Sequence, residues 1–334
     1  MKYKTKLWIK EKIPRKCMNF FSLPPKILEM LYFNWIDNKK LINCILVENE
    51  KKRSYELLLN SHILEKGMSH EEIRFGFGKN SLRALSAELK EWESKGYSKE
   101  SSSYKIALSA LHEYYLLHKK RKDDLMFLQK VLGQKLYEAV VSYNEDKKSG
   151  IKNYSGGEKF SSFTDFYKNR VSIREFDHSK EVSLEKIKSI IQVAKCAPSS
   201  CNRQTIKAYI TLDPESVSKI ISLHKGISVS PPGIIILTSD ISAYPNAKTR
   251  NLPYVDSGLF ANGLLLSATE KGIGTVVLNG CLSRSAEKQI SQMLEIPKFE
   301  KITLLIAFGK MKGVSKVCES FRTPLDDTLT IIGK

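Results

Sequence analysis

The chain has 334 residues, of which 42% are hydrophobic and 27% charged, with a formal net charge of +18. This is the balance of a folded globular protein of one large or two medium domains. No stretch approaches the ~20 apolar residues of a spanning helix. The basic N-terminus has neither the apolar core nor the cleavage site of a secretory leader, so a cytoplasmic protein is expected.

The positive charge runs along the whole chain and favours an anionic partner: nucleic acid, an acidic membrane surface, a phosphorylated cofactor or an acidic polymer. A lysine-rich composition explains it equally well. No helix-turn-helix, finger or aromatic ribonucleoprotein motif is present, so nucleic-acid binding is not expected. Six cysteines (Cys17, Cys44, Cys196, Cys201, Cys281, Cys318) form no C-x-x-C pair and have no histidine at zinc spacing. Free thiols are expected, with no metal site and no disulfide framework.

Residues 1–45 mix lysines with Trp8, Phe20, Phe21, Tyr32, Phe33 and Trp35, and Pro24-Pro25 mark a helix start. Such a segment could lie weakly on a membrane or an anionic polymer, but packing of the aromatics onto the body is the favoured reading. A helix over residues 55–66 is expected to stop at Gly67. Arg74-Phe75-Gly76-Phe77-Gly78-Lys79 lacks the third glycine of a dinucleotide fingerprint and reads as a packed turn. Three apolar stripes follow at helical spacing, around Leu82–Trp92, Ile106–Leu117 and Leu125–Val141, with Asp123-Asp124 as an N-cap pair before the third. Residues 145–160 are polar and glycine-bearing, which places a linker there. The expected division is a helical region over 1–150 and a second domain over 151–334.

Beyond the linker, helices alternate with short strands. Helices are expected over 161–169, 183–194 with Ser183 as cap, 214–224, 254–270 and 283–294. Strands are expected over 207–212, 234–237, 275–278 and 302–308, the last ended by Gly309, with an aperiodic tail over 310–334. This order gives an α+β fold, a mixed sheet flanked by helices. The helix over 254–270 is so apolar that burial on all sides is expected, as at a dimer core.

Two short stretches carry chemistry. In an extended segment Arg170, Ser172 and Arg174 share one face, and two guanidinium forks with a hydroxyl suit phosphate oxygens. The loop Pro198-Ser199-Ser200-Cys201-Asn202-Arg203-Gln204 offers hydroxyls, amides and backbone N–H groups, which suit the donor–acceptor edge of a flavin or purine. Taken singly, each is also an ordinary surface pattern. No Ser/His/Asp set or carboxylate pair is convincing, so no side-chain acid, base or nucleophile is assigned.

Arg170-x-Ser172-Ile173-Arg174-x-Phe176, followed by Ala197-Pro198-Ser199-Ser200-x-Asn202-x-Gln204, resembles the FMN-dependent nitroreductase family. So do Asp256–Ala268 with Gly272-Ile273-Gly274, the strand Ile302–Gly309, and Arg322-Thr323-Pro324-Leu325-Asp326-Asp327. The resemblance covers about residues 160–330. It implies a homodimer with FMN at the subunit interface and NADH or NADPH as reductant. Arg170, Ser172, Arg174 and Arg322 would hold the phosphate and ribityl chain. Pro198, Ser199, Ser200, Asn202 and Gln204 would reach the flavin from the other subunit, and Leu278, Asn279 and Gly280 would lie beside the ring. Val171 and Thr205-Ile206 depart from the family pattern. His62-x-Leu64-Glu65-Lys66-Gly67 and Phe75–Lys79 are similar to a segment of long nitroreductase-like proteins of bacterial surface-polysaccharide synthesis. The expected function is a flavin oxidoreductase acting on a small substrate; the alternative is a non-catalytic flavin-binding or accessory protein of polysaccharide synthesis.

Overall fold

Helix formation follows the apolar spacing through the first half of the chain. The structure, a computed structural model, describes residues 25–35, 37–39, 48–155, 161–224, 229–244 and 247–333. The expectations for Trp8, Cys17, Phe20, Phe21, Pro24, Cys44 and Gly156-Gly157-Glu158 lie outside those residues. Helix α1 (Glu50–Met68) is capped by Asn49, whose side chain accepts from the Lys52 N–H at 2.9 Å. Helices α2 (Lys79–Ser94), α3 (Ser102–His118), α4 (Lys122–Leu132) and α5 (Gln134–Val141) follow. Their stripes meet in one core around Leu57, Leu64, Leu85, Trp92 and Leu111. Each such side chain contributes ~1.5–3 kcal/mol on full burial.

Four expectations are corrected here. Gly67 does not stop α1, which runs on to Met68; the absent side chain instead makes room for the Phe77 ring, 2.1 Å from where a Cβ would stand. The third stripe is two helices, α4 and α5, because Gly133 at φ +76 breaks the turn between them. Asp123 and Asp124 lie inside the first turn of α4, where Asp124 accepts from Arg121 Nε at 3.0 Å. Residues 25–35 are helical; Tyr32 and Trp35 are each more than half exposed and stack on one another, while Phe33 is half-buried beneath the Arg250 guanidinium, 5.1 Å from its ring centroid. The Phe75–Gly78 turn is packed as expected: the Tyr114 hydroxyl donates to the Phe77 carbonyl oxygen, and Phe77 joins the helical core.

The second half adopts the expected α+β arrangement. A strand β1 (Ile151–Tyr154) is followed by α6 (Phe163–Asn169), α7 (Leu184–Ala194), β2 (Ile206–Thr211), α8 (Pro214–Leu223), β3 (Gly233–Asp240), α9 (Leu252–Glu270), β4 (Ile273–Asn279), α10 (Arg284–Met293), β5 (Glu300–Lys310) and β6 (Ser315–Cys318). Ser162, Ser183, Asp213 and Ser283 each cap a helix by accepting from the N–H three residues on.

The main sheet has the order β2-β3-β5-β4, with Ile235 opposite Ile306 at its centre. Its pairings are all antiparallel, so the expected mixture of strand directions is absent among the described residues. Ile187 and Ile190 of α7 with Leu264 and Ala268 of α9 cover one face. Val217 and Ile220 of α8 with Ile290 of α10 cover the other. Helices α7 and α9 cross closely because Gly263 has no side chain: a Cβ there would lie 3.4 Å from Ala194 Cα.

Strand β5 passes through Gly309 instead of ending there; Pro232 and Phe176 occupy the space a side chain would need. In this single chain α9 is not buried on all sides. Phe260 and Leu264 are buried, while Val255 and Leu259 remain 53% and 42% exposed.

Strands β1 and β6 were not expected. They pair antiparallel, Ile151 opposite Cys318, and join the expected linker to the expected tail. Helix α1 packs against β6. The buried Glu65 carboxylate accepts from Ser149 Oγ at 2.8 Å and from the Gly150 N–H at 3.1 Å. Past α1, His70 Nδ1 lies 2.9 Å from Glu175 Oε1. The helical unit is thus laid along the segment that carries the arginines. No helix among the described residues is long and apolar enough to cross a membrane.

Candidate functional site

Helix α6 ends at Asn169, and Arg170 turns the chain into an extended path (φ −65, ψ 122) beside β4. The Ile173 N–H donates to the Thr275 carbonyl at 2.9 Å, and Phe176 bridges to Met311. Ile173 and Phe176 are buried in the sheet core. Ser172 and Arg174, flanking the buried Ile173, point away from it, and a bend at Glu175 returns Phe176 to the core.

Arg170, Ser172 and Arg322 line one cavity of about 1070 Å³, whose wall also includes Val171 and Thr323. No carboxylate lies within ion-pair distance of either guanidinium among the described residues; Arg322 Nη1 donates to the Ser320 carbonyl at 2.7 Å. Burial, and then the nearby Arg322, lower the pKa of Arg170. A guanidinium remains charged at such values. Two guanidinium forks without an ion-pair partner and a hydroxyl, around a space whose wall also carries Glu65 and Glu319, form a donor set for a phosphate ester.

A second cavity of about 440 Å³ adjoins the first, and His62 lines both. Its wall holds Arg174, Leu278 and Asn279. Arg174 Nη1 donates to Cys318 Sγ at 3.3 Å. The end of β4 is fixed by His224, whose Nε2 is 2.8 Å from the Asn279 carbonyl. A carbonyl only accepts, so Nε2 carries the proton. Gly280 turns directly over β5, where a Cβ would fall 2.2 Å from the Thr303 oxygen.

The loop after α7 lies elsewhere. Neither cavity is lined by Pro198, Ser199, Ser200, Asn202 or Gln204. The buried Asp256 carboxylate of α9 holds the loop from beneath, accepting from the Ser200 N–H at 3.1 Å and its hydroxyl at 2.9 Å. Above that anchor, Cys201, Asn202 and Gln204 all have φ near +50°. Each costs of order 1 kcal/mol, less for Asn. Cys201–Gln204 are nevertheless exposed. Thr205 is buried, bonded to Ser239 Oγ and Tyr244 OH at 2.9 Å each. This departure from the family pattern thus lies in the core beneath the loop, while Val171 is at the cavity wall.

Helix α1 and β6 bring Lys66, Glu65 and Cys318 to this corner. The His62–Gly67 motif contains two of them, but nothing in its spacing shows which cavity it faces. Ligand-type atoms of His62, Glu65 and Cys318 lie within 4.8 Å of one another. They form a hydrogen-bonded corner. Glu65 Oε2 is 2.9 Å from His62 Nδ1, its other oxygen is taken by Ser149 and Gly150, and Arg174 donates to the thiol. Burial pushes the Cys318 thiol pKa up.

Residues 167–225 and 229–310 match the sequence profile of the nitroreductase family. Over these residues, rather less than half of the chain, the sequence is similar to that family. No curated protein matches the chain. Among solved structures, the chain is similar to a putative NADH oxidase from Clostridium acetobutylicum (24% identity, 51% of this chain and 100% of that one, TM-score 0.44). It is also similar to a nitroreductase with bound FMN from Desulfitobacterium hafniense (19%, 51% and 97%, TM-score 0.42). A nitroreductase family protein from Clostridium novyi is a third (21%, 45% and 86%, TM-score 0.41).

Proposed function

We propose that this chain is an FMN-dependent oxidoreductase that takes electrons from NADH or NADPH and delivers them to a small substrate. The observation that carries the reading is the convergence of Arg170, Ser172 and Arg322 on one cavity, with no carboxylate within ion-pair distance of either guanidinium among the described residues. The family match supports it. Bound FMN supplies the hydride and electron chemistry. The protein's part is binding and orientation. Arg170, Ser172 and Arg322 hold the phosphate. Arg174 faces the remainder of the cofactor, and Leu278-Asn279-Gly280 form the strand end beside its ring, held in place by His224 and by the close approach to Thr303.

The second element of the proposal is a homodimer. Asp256 anchors the loop at Ser200, Ser199 and Ser200 are half-buried, and Pro198, Asn202 and Gln204 are exposed and so available to a second copy. The exposed Val255 and Leu259 side of α9 supplies the apolar surface for that contact. The third element is the division of labour: residues 151–334 carry the flavin site, and the 1–150 region is an added helical unit.

The test is a flavin spectrum. Purified or FMN-reconstituted protein should show flavin absorbance that bleaches anaerobically on addition of NADH or NADPH. Protein that fails to take up FMN would refute the proposal. FMN that binds and is reduced by neither nucleotide would refute the enzymatic part.

A further inference from the structure

We propose that Lys66, on the last turn of α1, is a cofactor-binding residue that faces the flavin together with Arg174, making the added helical unit one wall of the flavin site. The inference rests on the FMN reading and extends it to a part of the chain outside the family match.

Lys66 lines the smaller cavity with Arg174, Leu278 and Asn279. A lysine on a helix surface ordinarily keeps its ammonium in water or beside a carboxylate. Lys66 is half-buried, and no carboxylate lies within ion-pair distance of it among the described residues. The neighbouring Glu65 offers no relief, because its two oxygens are turned to Ser149, Gly150 and His62. Burial first, and then the positive charge of Arg174, lower the Lys66 pKa. Two like charges thus share one partly desolvated space, an arrangement that costs free energy until an electron-rich group enters.

The surrounding backbone is built to hold that position. Gly67 admits the Phe77 ring against the last turn of α1. Phe77 and Gly78 continue along the same cavity wall. Ser69 caps the turn by bonding the Lys66 carbonyl at 2.9 Å through its hydroxyl. The helix end carrying Lys66 is tied to the segment carrying Arg174 by His70, whose Nδ1 is 2.9 Å from Glu175 Oε1.

The experiment compares the full-length protein with Lys66→Gln and Lys66→Arg, reading FMN affinity by quenching of flavin fluorescence and apo-protein melting by circular dichroism. Lys66→Gln should weaken FMN binding at least about tenfold, the size of one charge-assisted hydrogen bond. Its apo Tm should be unchanged or higher, because an unpaired half-buried charge has been removed. Lys66→Arg should retain affinity within a few-fold. FMN binding by Lys66→Gln within twofold of the wild type overturns the inference while leaving the flavin reading intact. A lowered apo Tm with no loss of affinity assigns Lys66 a structural role and overturns it too. A wild-type protein that binds no FMN removes the reading beneath it.

Discussion

Gly67 shows two effects of opposite sign at one residue. Alanine inside a helix is favoured over glycine by about 1 kcal/mol, so propensity alone makes Gly67→Ala stabilising. Its Cβ would, however, stand 2.1 Å from the Phe77 ring. That ring meets Tyr114 edge-on at 5.2 Å and His118 at 5.8 Å, so it has little room to yield. Overpacking of this kind costs ~1–3 kcal/mol and should win. Gly67→Ala is expected to lower Tm in a thermal melt; a raised Tm would show that the ring moves freely. Arg170 and Ser172 could be picked out in the sequence because, with Arg174, they alternate along one extended segment; Arg322 was reached only through the family resemblance. Lys66 could not be read that way, because its meaning comes from what it fails to pair with in three dimensions.

At the scale of elements, most helices and sheet strands follow from apolar periodicity and serine or aspartate caps. What escaped were β1 and β6, four residues each, too short to show alternation. Their stability comes from pairing across more than 150 residues of chain and from the Glu65 contacts, which are tertiary facts. The break at Gly133 escaped for a related reason, since a helical stripe continues in phase across it. Within the helical unit, Glu93 of α2 ties three helices together. Burial alone would raise its pKa, but hydrogen bonds from Lys135 and Lys99 at 2.7 Å and from the Tyr104 hydroxyl at 2.8 Å outweigh that and lower it to about 2. A carboxyl with a depressed folded-state pKa contributes its stability in full above its ordinary value of 4.5, and loses it as pH falls towards 2. Allowing for the exposed lysines, the contribution is ~1–3 kcal/mol. Glu93→Gln should therefore reduce stability at neutral pH and flatten the loss below pH about 4.5 in denaturant titrations. An unchanged acid limb would show that the cluster contributes nothing.

At the scale of the whole molecule, the proposed flavin site is completed by a second chain. A single chain gathers Arg170, Ser172 and Arg322 around one cavity and Arg174, Leu278 and Asn279 around its neighbour, and leaves the 198–204 loop outside both. The same chain leaves Val255 and Leu259 of an otherwise core-like helix exposed. Leu259→Glu places a charge in the proposed contact, where desolvation would be costly. Light scattering should show a wild-type dimer and a monomeric variant with reduced FMN affinity. A monomeric wild type with full affinity would refute the shared site. The measurement that bears most directly on the central claim is the absorbance of FMN-reconstituted protein before and after anaerobic addition of NADH or NADPH. Bound flavin is expected, with a spectrum that bleaches with one of these nucleotides and returns on admission of air. A protein that leaves FMN free in solution, with Arg170 and Arg322 intact, would contradict it.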